Sequence, residues 1–154
     1  MGEFADDVNT HLRSRLAERR PEFDWETEYR VAGTPVDVGG ESPDQLVLLE
    51  LEWRRADPAD NTAKLFRHLS EGRLDFERVS AFQVFTGYYD LASGGVSSKR
   101  ENAEFVGRVA ADSFEYLTYH PVEFDLVPPK RGGERPGDWR AVADETVDRL
   151  LALL

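Results

Sequence analysis

The chain has 154 residues, a formal net charge of −11 and no cysteine. That length suits one domain with a single core, and the lack of cysteine excludes disulfides, thiol chemistry and thiolate metal sites. No apolar run approaches the ~18 residues of a membrane span, and the acidic opening Glu3-Phe4-Ala5-Asp6-Asp7 is unlike a secretory signal. A single domain over residues 1–154, with a cytoplasmic location, is expected.

Phe4, Val8, Leu12 and Leu16 recur at every fourth position and predict an amphipathic helix that ends before Pro21. Trp25, Thr27, Tyr29 and Val31 alternate with charged residues, as in a half-buried strand, and Ala32-Gly33-Thr34 reads as a turn. Pro35 to Val38 is a short second strand, with Gly39 to Asp44 as a loop. Gln45 to Trp53 is apolar until Glu50, as a central strand should be. A second helix starts at Asp57-Pro58 or Asp60 and runs to about Leu74, burying Thr62, Leu65, Phe66 and Leu69. Val79 to Thr86 is a fourth strand, followed by a loop from Gly87 to Gly95.

Asn102, Phe105, Val106, Val109, Ala110, Ser113, Phe114 and Leu117 keep helical spacing and predict a third helix with these residues inward. Thr118 to Val127 is a fifth strand that Pro121 confines to an edge or interrupts. Pro128 to Gly137 is a loop, and a last helix from Asp138 buries Trp139, Val142, Ala143, Val147, Leu150 and Leu151. The expected class is α/β: a mixed sheet with an antiparallel three-strand meander and flanking helices.

The chemistry concentrates on three acids. Glu50 and Glu52 share one face of the third strand, because alternate residues point the same way. Asp37 lies on the preceding strand, joined through a short loop, so its carboxylate should fall within about 6 Å of Glu50, as two ligands of one Mg²⁺ require. Acids gathered this closely repel unless a divalent cation lies between them. The alternative is a solvated acidic face in a chain with 30 Asp and Glu.

The order helix, three strands, helix, strand, with Asp37 on the second strand and Glu50-Leu51-Glu52 on the third, resembles the PD-(D/E)XK nuclease superfamily. The resemblance covers roughly Phe4 to Thr86. It implies the restriction-endonuclease-like fold (an αβββαβ core plus αβα) and Mg²⁺- or Mn²⁺-dependent hydrolysis of DNA, with Asp37 and Glu50 as metal ligands. The family's third motif position is usually Lys, which orients or activates water, and here it is Glu52. Some members carry Glu there, and in others the lysine has moved to the following helix, where Lys64 stands beside Asn61 and His68 on one face. A second register, Glu52-Trp53-Arg54, would put Arg in the lysine position, a poor substitute because Arg hardly releases a proton. The alternative function is a catalytically silent module of this fold that binds nucleic acid or protein. A plain α/β interaction domain without a site is the third option.

Of the 19 basic residues only Lys64, Lys99 and Lys130 are lysine. The acid-rich, Arg-over-Lys composition resembles proteins of salt-loving archaea. In ordinary salt this charge opposes nucleic acid, but at ~1 M salt the Debye length is only ~3 Å and local geometry decides. DNA therefore stays the expected partner, and oligomeric state is left open, a homodimer included. Asn61 and the pair Lys99-Arg100 are candidate nucleic-acid contacts. Lys130, Arg131 and Arg135 read as solvated loop charge, His68 reads as a helix-surface residue more than a catalyst, and His11 and His120 receive no role.

Overall fold

The computed structural model describes residues 2–72 and 75–154. In chain order the elements are α1 (Glu3–Arg19), β1 (Asp24–Val31), β2 (Thr34–Glu41), β3 (Gln45–Glu52), α2 (Pro58–Glu71), β4 (Arg78–Thr86), a 3₁₀ turn (Gly87–Tyr89), α3 (Ser98–Ser113), β5 (Leu117–Phe124) and α4 (Trp139–Leu153). The five strands lie side by side in the order β1-β2-β3-β4-β5. The first three form an antiparallel meander, and β4 and β5 are added in parallel. This mixed α/β sheet is the expected architecture, with Pro121 on the edge strand β5, where a missing N–H does least harm.

Each face of the sheet carries two helices. On one, Val8, Leu12 and Leu16 of α1 and Trp139, Val142 and Val147 of α4 pack on Val47, Leu49, Val84 and Phe124. On the other, Leu65, Phe66 and Leu69 of α2 and Ala110 of α3 pack on Leu46, Leu48, Val79 and Leu117. β3 is covered on both faces, so its apolar run continues until its C-terminal end, where the acids begin. α2 starts where the sequence places it: Asp57 accepts from the Asp60 N–H at 3.2 Å and Pro58 occupies the first turn. The expected end of α2 at Leu74 lies outside the described residues.

Two expectations need correction. Gly39 and Gly40 belong to β2 and not to a loop. A Cβ at Gly39 would stand 2.3 Å from the Tyr29 ring and one at Gly40 would stand 2.5 Å from Trp25, so the glycines let two rings lie flat on the strand. In α3 the buried residues are Arg100, Ala103, Gly107 and Ala110, while Phe105 and Val109 are exposed by 64% and 48%. Tyr119 fills the space over Gly107, where a Cβ would meet its ring at 2.3 Å. The helix therefore approaches the sheet through its small residues, and its larger apolar residues face out.

Candidate active site

Asp37 and Glu50 come together because the β2–β3 ladder ends beside them. Its last pair is Val38 with Leu49, one step away. Beyond it, the Asp37 carboxylate itself accepts the Leu51 N–H at 2.7 Å, in place of a backbone carbonyl. On the other side of β2, pairing with β1 skips Glu28 and Asp37, although Thr27–Val38 and Tyr29–Val36 flank them in register. Glu28 has φ 52°, a left-handed conformation that costs a non-glycine residue about 1–3 kcal/mol. The kink at Glu28 releases Asp37 from both neighbours, and its carboxylate turns into a cavity.

That cavity lies between α1, the β1–β2 hairpin and α2, with a volume of about 370 Å³. Asp37, Glu50, Arg55, Asn61 and Lys64 line it, together with Asp6 and Asn9 from α1. The Asp37 and Glu50 carboxyls are close enough to share a hydrogen bond. Burial, then the charge of Asp37, pushes Glu50 well above the usual carboxylate range. Asp37 is raised mainly by burial, with the Leu51 N–H opposing. Two carboxyls in one desolvated place raise each other's affinity for a proton, and a cation between them would relieve the same repulsion.

Glu52 departs from the expectation that all three acids converge. Its side chain is fully buried and does not line the cavity. Asn61 Nδ2 donates to its Oε1 at 2.8 Å and Gln83 Nε2 at 2.9 Å, while Arg55 stands 3.6 Å from its Oε2. Gln83 in turn donates to the Thr62 hydroxyl at 2.7 Å and accepts from the Tyr119 hydroxyl at 2.5 Å. Burial foremost pushes the Tyr119 hydroxyl far up, so it remains a donor. Glu52 therefore anchors a buried network and meets the cavity lining through Asn61 and Arg55. Among the described residues, no three His, Cys, Asp or Glu side chains gather closely enough to hold a metal ion.

Lys64 is an exposed residue of α2 on the cavity wall, with no ion pair among the described residues. Arg54 donates to the Pro129 carbonyl at 3.2 Å and lies over the Tyr88 ring at 5.5 Å, outside this cavity, so the second register has no support. Arg100 is also corrected. It is 7% exposed, 3.2 Å from Glu104, and 4.9 Å from the Phe85 ring centre, so it is turned inward and cannot touch a phosphate backbone. Lys99 is exposed but does not line the cavity.

Sequence reading missed Asn9, Gln83 and Arg55. Asn9 sits on the buried face of α1 with Ala5, Val8 and Leu12, and its Oδ1 has no hydrogen-bond partner among the described residues. An amide on an apolar helix face was the available signal. Arg55 is fixed by the Tyr89 hydroxyl, which accepts its N–H and donates to its carbonyl, both at 2.9 Å. Nothing local in the sequence marks that contact, which spans 34 residues.

No family model matches the chain, and no curated protein matches it. Among solved structures, a repair endonuclease from Pyrococcus abyssi aligns with 83% of this chain and 49% of its own, at 22% identity and a TM-score of 0.40. The chain thus spans about half the length of that structure.

Proposed function

We propose that the cavity hydrolyses phosphodiester bonds of DNA with a divalent cation, Mg²⁺ or Mn²⁺, held by Asp37 and Glu50, as its likeness to the PD-(D/E)XK nucleases implies. The observation that carries this reading is the Asp37–Glu50 carboxyl pair, buried side by side on the wall of an open cavity with neither carboxylate in an ion pair among the described residues. The donor set fits such an ion: hard oxygen atoms, two carboxylates and the unpartnered Asn9 amide on the same wall. Two carboxylates suit Mg²⁺, which keeps several waters and binds phosphate alongside them. When bound, the cation would offset phosphate charge and lower the pKa of a bound water.

The chain's own residues supply the rest. Asn61, held by its bond to Glu52, stands beside Glu50 on the cavity wall and lowers the cost of its charge. The Arg55 guanidinium favours the ionised forms of Asp37 and Glu52. The Lys64 ammonium, unpaired on the wall, orients an attacking water or stabilises charge on the phosphate. Glu52, buried and occupied by two donors, is a positioning residue and not the base.

The test is calorimetry with Mn²⁺ and Mg²⁺, followed by cleavage of DNA in high salt. Micromolar to millimolar binding that Glu50→Gln removes, with cleavage that needs the cation, is the expected result. Absence of cation binding would overturn the reading. A specific observation favours the silent module as second reading: the lysine position holds a buried glutamate. Cation binding without cleavage of any DNA would select it.

A further inference from the structure

A second cavity, about 880 Å³, opens beside the first at the C-terminal end of β3. Its wall combines Arg54, Lys130, Arg131 and Arg135 with the rings of Phe4 and Trp53. Glu3 is the only acid in that lining among the described residues, in a chain where acids outnumber bases by 30 to 19. Arg135 is offset by Asp7 at 2.7 Å, whereas Arg54, Lys130 and Arg131 have no carboxylate partner among the described residues. Elsewhere most arginines are paired, as Arg15, Arg19, Arg78 and Arg149 are. Three uncompensated cations in one concavity are therefore the local exception to an acidic surface.

The loop is built to present them. Gly133 N–H donates to the Lys130 carbonyl at 2.7 Å and Gly132 has φ 79°, so Lys130-Arg131-Gly132-Gly133 is a tight turn with Arg131 at its corner. Arg54 ties the loop to the end of β3 through its bond to the Pro129 carbonyl. A small cavity of about 280 Å³ shares lining with both: Arg55 lines it and the cleft, and Trp53 and Arg54 line it and the basic cavity. Residues 53 to 55 thus bridge the two sites over roughly 10 Å of chain.

We propose that the basic cavity binds the sugar-phosphate backbone of the same nucleic-acid strand whose phosphodiester enters the carboxylate cleft, a few nucleotides from the scissile bond. The proposal rests on the nuclease reading and adds the polarity of the surface: acid and cation at the reacting phosphate, fixed positive charge beside it. Fixed cations favour a polyanion through its backbone without regard to base sequence, and the Trp53 ring adds an aromatic wall against which a base can pack. Strand that binds here is held while the reacting phosphate is positioned.

The experiment measures binding of a short fluorescein-labelled single-stranded oligonucleotide across a salt series. The proteins are the Glu50→Gln chain, which leaves the strand intact, and the same chain with Lys130→Glu and Arg131→Glu. Both loop residues are exposed and unpaired, so the fold should survive, which thermal melting checks. Dissociation constants should rise at least about tenfold, and the slope of log K against log salt should flatten by about 1.4, or ~0.7 for each lost phosphate contact. Arg108→Glu, an exposed change on α3, should leave both nearly unaltered. Equal loss in the Arg108 variant, or none in the loop variant, would overturn the proposal. So would competition by a poly-glutamate peptide as strong as by unlabelled oligonucleotide, which would mark the cavity as a site for acidic protein. Failure of the nuclease reading shows separately, as a parent chain that binds no cation and cleaves nothing while the oligonucleotide arm still reads the cavity.

Discussion

The carboxylate cleft and the basic cavity are neighbours built on opposite principles. The cleft crowds Asp37 and Glu50 into a desolvated place, with Asp6, Glu28 and Asp60 also on its wall beside Arg55 and Lys64, and on the proposed reading it takes a phosphate together with a cation. The basic cavity exposes its charges on a turn and just past the end of a strand, and on the proposed reading it takes a phosphate without any cofactor. The cleft therefore holds strain that a ligand can relieve, while the cavity holds none. One region should respond to metal and pH, and the other to ionic strength.

The sharpest way to break this contrast is Glu50→Gln. It should lower cation-dependent cleavage by about 10³-fold or more, equivalent to the ~4 kcal/mol a bound cation can supply. In metal-free buffer it should cost no stability. The pH dependence follows from the sign of the shifts. Asp37 and Glu50 titrate above their unfolded values, so the folded chain binds more protons than the unfolded chain between those values. Their contribution is present below the ordinary carboxylate range and is lost as pH rises through the raised folded values. Without metal, the parent should lose stability over that window relative to Glu50→Gln, and Mg²⁺ should remove the difference. Melting curves at several pH values, with and without Mg²⁺, check it.

Glu52→Ala tests the buried network. Removing the carboxylate leaves Asn61 and Gln83 donors without an acceptor, at a cost of about 2–4 kcal/mol in denaturant unfolding. Glu52→Gln keeps the shape and should lose only about 1 kcal/mol. If Glu52 instead acted on the water, Glu52→Gln would abolish cleavage and leave stability alone.

Lys64→Ala should slow cleavage by about 10²-fold, a typical loss for one positioned charge, with cation affinity little changed in calorimetry. Lys64→Arg should rescue poorly, because a planar guanidinium cannot occupy the same point. An alanine variant as active as the parent would remove Lys64 from the mechanism. The smallest effect expected is from Glu28→Gly, which relieves the left-handed residue opposite Asp37. Strain relief of ~1–3 kcal/mol, less the added freedom of glycine in the unfolded chain, should leave a gain of about 1 kcal/mol in thermal unfolding.

Much of the fold is written in local pattern. Asp57-Pro58 marks the start of α2, the apolar run from Leu46 to Leu49 marks a strand covered on both faces, and Pro121 marks an edge. The error at α3 had a physical source: periodicity picked out Phe105 and Val109, and the packing chose the opposite face because Tyr119 needed the space over Gly107. Likewise, Gly39-Gly40 carry the composition of a loop, and only the Tyr29 and Trp25 rings across the hairpin make them strand residues.

For the site, the sequence by itself determined that Asp37 and Glu50 lie on neighbouring antiparallel strands, because their connection is short, and that Lys64 follows one helix later. Only the tertiary structure decided that Glu52 turns away under Asn61 and Gln83, that Asn9 joins the cleft from α1, and that Arg54 meets the Lys130-Arg131 turn. The reason is sequence separation. Alternation and hairpin register are fixed by bonds to near neighbours in the chain, so residue order encodes them. Contacts across tens of residues exist only after helices have packed on the sheet, and packing depends on the sizes and charges of every side chain at the contact together.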